Sequence, residues 1–150
     1  MAPNRRTKHS NSSWAHLLVA AVPVLSGCQF RPEPLSAIAY NDDNDVVVQV
    51  TLRSADAKTI MDRELYFYLK VRSCNGTGNA FPADPPIEGG QIPGFIPPVQ
   101  DNSVDITARV PAHIFAKYKE PCVFLEGGGY FTGTIESKMI PIVRKIPRGA

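Results

Sequence analysis

The sequence predicts an all-β domain, a small antiparallel β-sandwich of the immunoglobulin-like type with one short helical turn. Hydrophobic side chains recur at every second position in several short segments, which is the period of a strand with one buried and one exposed face. Turns rich in Gly and Pro separate these segments, and no long helical pattern alternates with them. This arrangement favours a sandwich and leaves a small β-barrel as the alternative.

The predicted strands follow one another at short intervals. The clearest one, at residues 64–72, alternates apolar with polar side chains: Leu65, Phe67, Leu69 and Val71 against Tyr66, Tyr68, Lys70 and Arg72. Other strands are predicted at 37–40 (an edge strand), 46–53, 104–110, 122–126, 130–137 and 139–144. Residues 111–118 are the only helical candidate, a single turn beginning at Pro111, because proline fits the first position of a helix.

Two further segments are predicted to be turns. Gly127, Gly128 and Gly129 lie between two strand-like segments and predict a flexible hairpin loop. The Asn and Asp cluster at residues 41–45 offers the oxygen ligands that Ca²⁺ prefers, but it lacks the glycine and the distal glutamate of an EF-hand loop. Asn and Asp also form turns by hydrogen-bonding their own backbone. We therefore interpret the cluster as a turn, with calcium binding as the alternative.

The N-terminus has the parts of a secretory signal in the expected order. A basic segment at residues 5–8 precedes a mostly apolar segment at residues 14–25. The apolar segment is shorter than the roughly 20 residues that cross a bilayer. The following Leu25-Ser26-Gly27-Cys28 resembles the lipobox of bacterial lipoproteins. This resemblance covers only residues 1–28, and it implies that the sulfur of Cys28 is acylated and that the preceding peptide is removed.

The lipobox resemblance implies a domain organisation and a location. Residues 1–27 are predicted to be the signal peptide, 28–36 a lipidated tether and 37–150 the sandwich domain. The acylated Cys28 would hold the protein in the lipid bilayer of a bacterial cell envelope. Because Gln29 rather than aspartate follows the cysteine, the resemblance favours the outer membrane, with the domain facing the periplasm.

Removal of the signal peptide changes the charge of the chain. It takes away three of the 16 basic residues and none of the 14 acidic ones, so the formal net charge changes from +2 to −1. Nucleic-acid binding requires a clustered basic surface. We therefore expect no nucleic-acid partner.

Two cysteines remain when Cys28 is acylated. In an oxidising periplasm two thiols of a small domain usually pair, so we predict a disulfide between Cys74 and Cys122. Closing the loop from residue 74 to residue 122 stabilises a fold by about 4 kcal/mol in the chain-entropy treatment. Because the two cysteines lack C-x-x-C spacing, we predict a structural bond rather than a redox or metal site.

Motifs for catalysis are missing from the sequence. His113 is the only histidine outside the predicted signal peptide, and no nucleophile-elbow sequence accompanies it. A zinc site needs three or four ligands. Carboxylate pairs such as Asp62 with Glu64 or Glu120 with Glu126 carry no distinctive pattern. We therefore predict no catalytic residue, no metal and no cofactor.

Two regions are candidates for partner binding. The segment of residues 75–102 is too long for an ordinary connection between strands, and it combines many prolines with apolar side chains. This segment caps an open end of the sandwich, docks a partner through the anchors Phe81, Ile92, Phe95 and Ile96, or is disordered. The second candidate is the outward row that begins with Tyr66 and Tyr68, which could stack on sugar rings or contact an acidic partner. Such a row is also found on ordinary exposed strand faces.

The sequence thus predicts a non-catalytic binding module of the cell envelope with a protein partner there: an accessory subunit, an inhibitor or an immunity-type protein. The alternative is an envelope enzyme that processes glycan or peptide, with His113 or carboxylates as acid or base. A concave cluster of ionisable groups would favour the enzyme, and an exposed apolar surface would favour the binding module.

Overall fold

A computed structural model describes residues 29–84, 96, 102–129 and 132–145, which form two packed β-sheets. The strands are β1 (Ser36–Asp42), β2 (Asp45–Arg53), β3 (Tyr66–Ser73), β4 (Phe81–Ala83), β5 (Ser103–Pro111), β6 (Pro121–Gly129), β7 (Gly133–Glu136), β8 (Ile140–Pro141) and β9 (Val143–Arg144). The helices are α1 (Ser54–Asp62) and α2 (Ala112–Phe115). The predicted all-β sandwich is confirmed, and in the described part of the chain the strands do not close into the alternative barrel.

The first sheet has the strand order β5-β2-β1-β9. β2 pairs along its whole length with β5 on one side and, through a tight hairpin, with β1 on the other. The short β9 adds to β1 in parallel. The strand predicted at 37–40 therefore lies inside this sheet and not at its edge, because the C-terminal segment covers it.

The second sheet has the order β4-β3-β6-β7, and β8 also pairs with β6. β7 and β8 are separated at Ser137, whose hydroxyl accepts a hydrogen bond from the Leu125 N–H at 2.8 Å. The strand predicted at 139–144 is divided between the sheets, since β8 pairs with β6 and β9 with β1. The chain segment from β8 to β9 therefore passes from the second sheet to the first.

The two sheets follow the immunoglobulin strand order. β1-β2-β5 and β3-β6-β7 match the A-B-E and C-F-G groups of that sandwich. Both sheets contribute to one core, whose members with no exposed surface include Val48, Val50, Leu52, Val71, Val123 and Leu125. Burial of a Val or Leu side chain contributes about 1.5–3 kcal/mol, so these alternating positions account for much of the stability.

Helix α1 was not predicted from the sequence. It buries only Ala57 and Ile60, and its N-cap makes no side-chain hydrogen bond. On its exposed face Lys58 and Asp62 form an ion pair at 2.6 Å with the (i, i+4) spacing of helix neighbours. The four-residue α2 lies inside the predicted 111–118 segment and buries Phe115.

The prediction of a hairpin loop at Gly127–Gly129 is wrong, because all three residues belong to β6 and pair with β3 or β7. A Cβ atom at Gly127 would collide with the carbonyl oxygen of Tyr66. Glycine is therefore required there for close approach of two backbones and not for a turn.

The N-terminal segment is docked on the sandwich. The Phe30 N–H donates to the Thr134 carbonyl at 2.8 Å, and the Phe30 carbonyl accepts from the Glu136 N–H at 3.1 Å. Pro32 is fully buried, and the Leu35 N–H donates to the Thr51 carbonyl at 2.8 Å. The predicted tether at 28–36 is therefore wrong for residues 30–35, and the domain begins before residue 37.

The strand registers define two ends of the sandwich. The N-terminal end holds Phe30 and α1, next to the start of β3 and the end of β6. The distal end holds the β1–β2 turn, α2 and the Cys74–Cys122 disulfide, which joins neighbouring strands with a Cα–Cα distance of 4.9 Å. The predicted disulfide is thus present, as a clamp at the distal end.

Candidate binding surface

The outer side of the second sheet presents the two predicted tyrosines. Tyr66 and Tyr68 alternate along β3 with buried residues and are 51% and 47% exposed. The strand register places them opposite Gly128 and Glu126 of β6. We call this surface the tyrosine face and define it by Tyr66, Tyr68, Lys70, Glu126 and Gly128.

A shallow depression lies beside Tyr66. It is lined by Tyr66, Thr134 and three glycines without side chains, Gly128, Gly129 and Gly133. Because the glycines add no side chains to this part of the face, there is open space beside the Tyr66 ring. A flat apolar group such as a ring or a branched side chain would find contact area here.

Charges on the tyrosine face are largely paired within it. Lys70 Nζ lies 2.8 Å from Glu126 Oε1, and both side chains are partly exposed to water. An ion pair of this kind contributes less than about 1 kcal/mol to stability. Its main effect is to leave the centre of the face near neutral, with the tyrosines as its largest exposed groups.

Arg72 does not extend outward as the alternating pattern predicts. Its guanidinium lies over the Phe124 ring, 5.1 Å from the centroid, and its Nε–H donates to the Met139 sulfur at 3.5 Å. Arg72 is therefore held flat against the sheet. The exposed part of the predicted row ends at Lys70.

The predicted anchors of the 75–102 segment separate in the structure. Ile96 is only 5% exposed and belongs to the main core, so its assignment as an exposed partner-binding anchor is wrong. Phe81 is half-buried in β4 and lines a small depression with Ile114 and Tyr118. Ile92 and Phe95 lie outside the described residues.

The acidic cluster forms a turn. Asp43 and Asn44 make the two-residue connection between β1 and β2, with Asp43 in the left-handed region at φ 51°. Asp42 and Asp45 both face Arg109, whose Nη1 lies 2.8 and 3.9 Å from their carboxylates. Arg109 thus supplies the positive charge that these carboxylates face.

The residues considered for catalysis are dispersed. His113 is exposed on α2, at the distal end. Asp62 is paired with Lys58, and Glu126 with Lys70. Across residues 29–84, 96, 102–129 and 132–145, no group of three His, Cys, Asp or Glu side chains could hold a metal ion.

The sequence analysis overlooked a second concave surface, at the distal end beside α2. It combines Tyr40 of β1, Phe115 of α2 and the basic residues Arg144 and Lys145. These residues come from three distant parts of the chain, and only the exposed basic pair near the C-terminus could have been a signal.

Comparison with known proteins gives no relative from which a function could be transferred. No protein-family model matches the chain, and no curated protein and no solved structure gives a significant match. Among the described residues, no helix is both long and apolar enough to cross a membrane.

Proposed function

We propose that this chain is a lipid-anchored protein of the bacterial cell envelope whose sandwich is a non-catalytic binding module. Its partner would be another envelope protein, as for an accessory subunit, an inhibitor or an immunity-type protein. The tyrosine face would provide the contact. In this proposal the acylated Cys28 places the domain in the outer membrane, on the periplasmic side.

The observation that carries the proposal is the composition of the tyrosine face. Protein interfaces are enriched in tyrosine at their centre and depleted of lysine and glutamate there. Tyr66 and Tyr68 are about half exposed side by side on a rigid strand, while Lys70 and Glu126 neutralise each other. Tyrosine offers a large contact area with only two side-chain torsions to fix, so it loses little conformational entropy on binding, which favours both residues as anchors.

The docked N-terminal segment supports a partner close to the membrane. Phe30 is hydrogen-bonded to β7, and its ring packs against the core. Arg63 lies over this ring at 5.6 Å from the centroid. With a lipid on Cys28, only Gln29 would separate the acylated residue from the domain. The tyrosine face would then be presented near the bilayer surface, where a membrane-bound partner can reach it.

Site-specific photo-cross-linking in intact cells tests the proposal. A photoreactive phenylalanine analogue replaces Tyr68, and a matched control carries it at Thr107, on the outer side of the first sheet. We expect one defined cross-linked protein from position 68 and none from position 107. Equal cross-linking from both positions, or none from position 68, would contradict the tyrosine face as the contact surface.

A further inference from the structure

We propose that the sandwich has a second binding site, a basic depression at its distal end that takes an organic carboxylate. The depression encloses about 360 Å³. Its lining includes Tyr40, Asn41, Val46, Phe115, Arg144 and Lys145. It lies at the end of the first sheet, whereas the tyrosine face lies on the second, so this site is independent of the proposed function.

The depression is positively charged, and its two basic side chains form no ion pair with the described residues. Neither Arg144 nor Lys145 forms an ion pair in the described part of the chain, and no carboxylate lines the depression. The aspartates of the adjoining turn, Asp42 and Asp45, are directed to Arg109. An anion would therefore meet two cations that have no competing acidic neighbour among the described residues.

The lining of the depression is held in place by the surrounding structure. Arg144 lies over the Phe115 ring at 5.1 Å from the centroid, a cation–π contact that holds the guanidinium against another residue of the lining. The Lys145 N–H donates to the Ala39 carbonyl at 2.8 Å, and the Ala112 N–H donates to the Asn44 carbonyl at 3.0 Å. Strand β9 and helix α2 are thereby fixed on either side, and a ligand need not order them.

The chemistry of the lining selects the class of ligand. A guanidinium binds a carboxylate through two parallel hydrogen bonds. Val46 and Phe115 give the lining an apolar part, and Tyr40 and Asn41 are polar residues of the same lining. The volume is at the low end of the roughly 300–1,000 Å³ typical of ligand sites. These features fit a small carboxylate with an apolar body, either a free acid or the C-terminal residue of a peptide.

A chemical-shift titration of the purified full chain tests this site. The probes are N-acetylphenylalanine, its uncharged amide N-acetylphenylalaninamide, the peptide Gly-Gly-Phe with a free C-terminus, and inorganic phosphate. We expect saturable shifts at Arg144 and Lys145 with N-acetylphenylalanine and at least about tenfold weaker binding of the amide, since hydrogen bonds to charged groups contribute that much. Binding of the peptide at least as tightly as the short acid indicates a peptide C-terminus, and weaker binding indicates a free acid.

Two variants and a control separate binding from folding. Arg144→Gln and Lys145→Gln should each weaken binding of N-acetylphenylalanine, the arginine variant by at least about tenfold. The control Arg63→Gln also removes a guanidinium stacked on a phenylalanine, at the opposite end, and should leave binding unchanged. If Arg144→Gln fails to fold, Lys145→Gln still tests the site, because this variant keeps the Arg144–Phe115 contact. Equal affinity for acid and amide, unchanged binding by both variants, or binding of phosphate alone would overturn the proposal.

Discussion

At the scale of single residues, the backbone contact at Gly127 determines how closely β3 and β6 pair. The position lies in the second sheet opposite Phe67, and a Cβ there would overlap the Tyr66 carbonyl oxygen. A Cβ built at the next residue, Gly128, would lie 3.0 Å from the nearest heavy atom. The two glycines therefore differ in how much space a side chain would find.

We predict that Gly127→Ala lowers the free energy of unfolding by about 1–3 kcal/mol, the usual cost of overpacking. Gly128→Ala should cost less, because its neighbour needs to move only slightly. Chemical denaturation of both variants measures the difference. Equal destabilisation by the two substitutions would count against a specific backbone contact at Gly127.

A second prediction at this scale concerns Ile96, which the structure places in the core. Ile96→Ala should lower the free energy of unfolding by about 2–5 kcal/mol through loss of buried surface and cavity formation. The control Leu35→Ala removes an apolar side chain that is 51% exposed, and it should change stability by about 0.5 kcal/mol or less. Thermal or denaturant unfolding gives both values. An Ile96→Ala variant as stable as the parent protein would argue against a place for Ile96 in the core.

At the scale of elements, the strands with one buried face are predictable closely, whereas helix α1 and the division of the last strand are not. β2, β3 and β5 show the expected alternation, and their positions agree with the sequence to within two residues. Helix α1 has no comparable pattern, because only two of its nine residues are buried. The division of 139–144 between two sheets depends on pairing with distant strands, which local periodicity does not contain.

The disulfide gives a prediction for an element contact. It connects the end of β3 with the start of β6 at the distal end. The double variant Cys74→Ser with Cys122→Ser should lower the free energy of unfolding by about 4 kcal/mol, according to the chain-entropy treatment. Denaturant unfolding with and without reductant measures this: reductant should destabilise the parent protein and leave the variant unchanged. A parent protein indifferent to reductant would show that the bond contributes no stability.

At the scale of the whole molecule, the candidate site was predictable only where it follows one strand. Tyr66 and Tyr68 were found because the side-chain period of β3 places both on the outer face. Gly128 and Gly129 beside them were misassigned to a loop, because their place in β6 depends on pairing with β3 and β7. The distal depression needs β1, α2 and β9 together, and no local pattern brings these segments into contact.

Membrane anchoring is a prediction for the whole chain. Cys28→Ala should abolish incorporation of labelled fatty acid and leave the precursor uncleaved, since the acylated sulfur is the expected substrate for processing. A serine-to-alanine change at Ser10, outside the lipobox, serves as the control. Metabolic labelling and N-terminal sequencing measure both effects. A labelled Cys28→Ala protein, or a parent protein with an intact N-terminus and no lipid, would contradict the anchor.

The most direct test of the proposed binding module is the affinity of the double variant Tyr66→Ala with Tyr68→Ala for the protein captured by cross-linking at position 68. Aromatic anchors at an interface centre contribute about 2 kcal/mol or more, so we predict a loss of roughly thirtyfold or more at an unchanged melting temperature. The control Thr107→Ala should bind like the parent protein. A folded double variant that binds as tightly as Thr107→Ala would contradict the account.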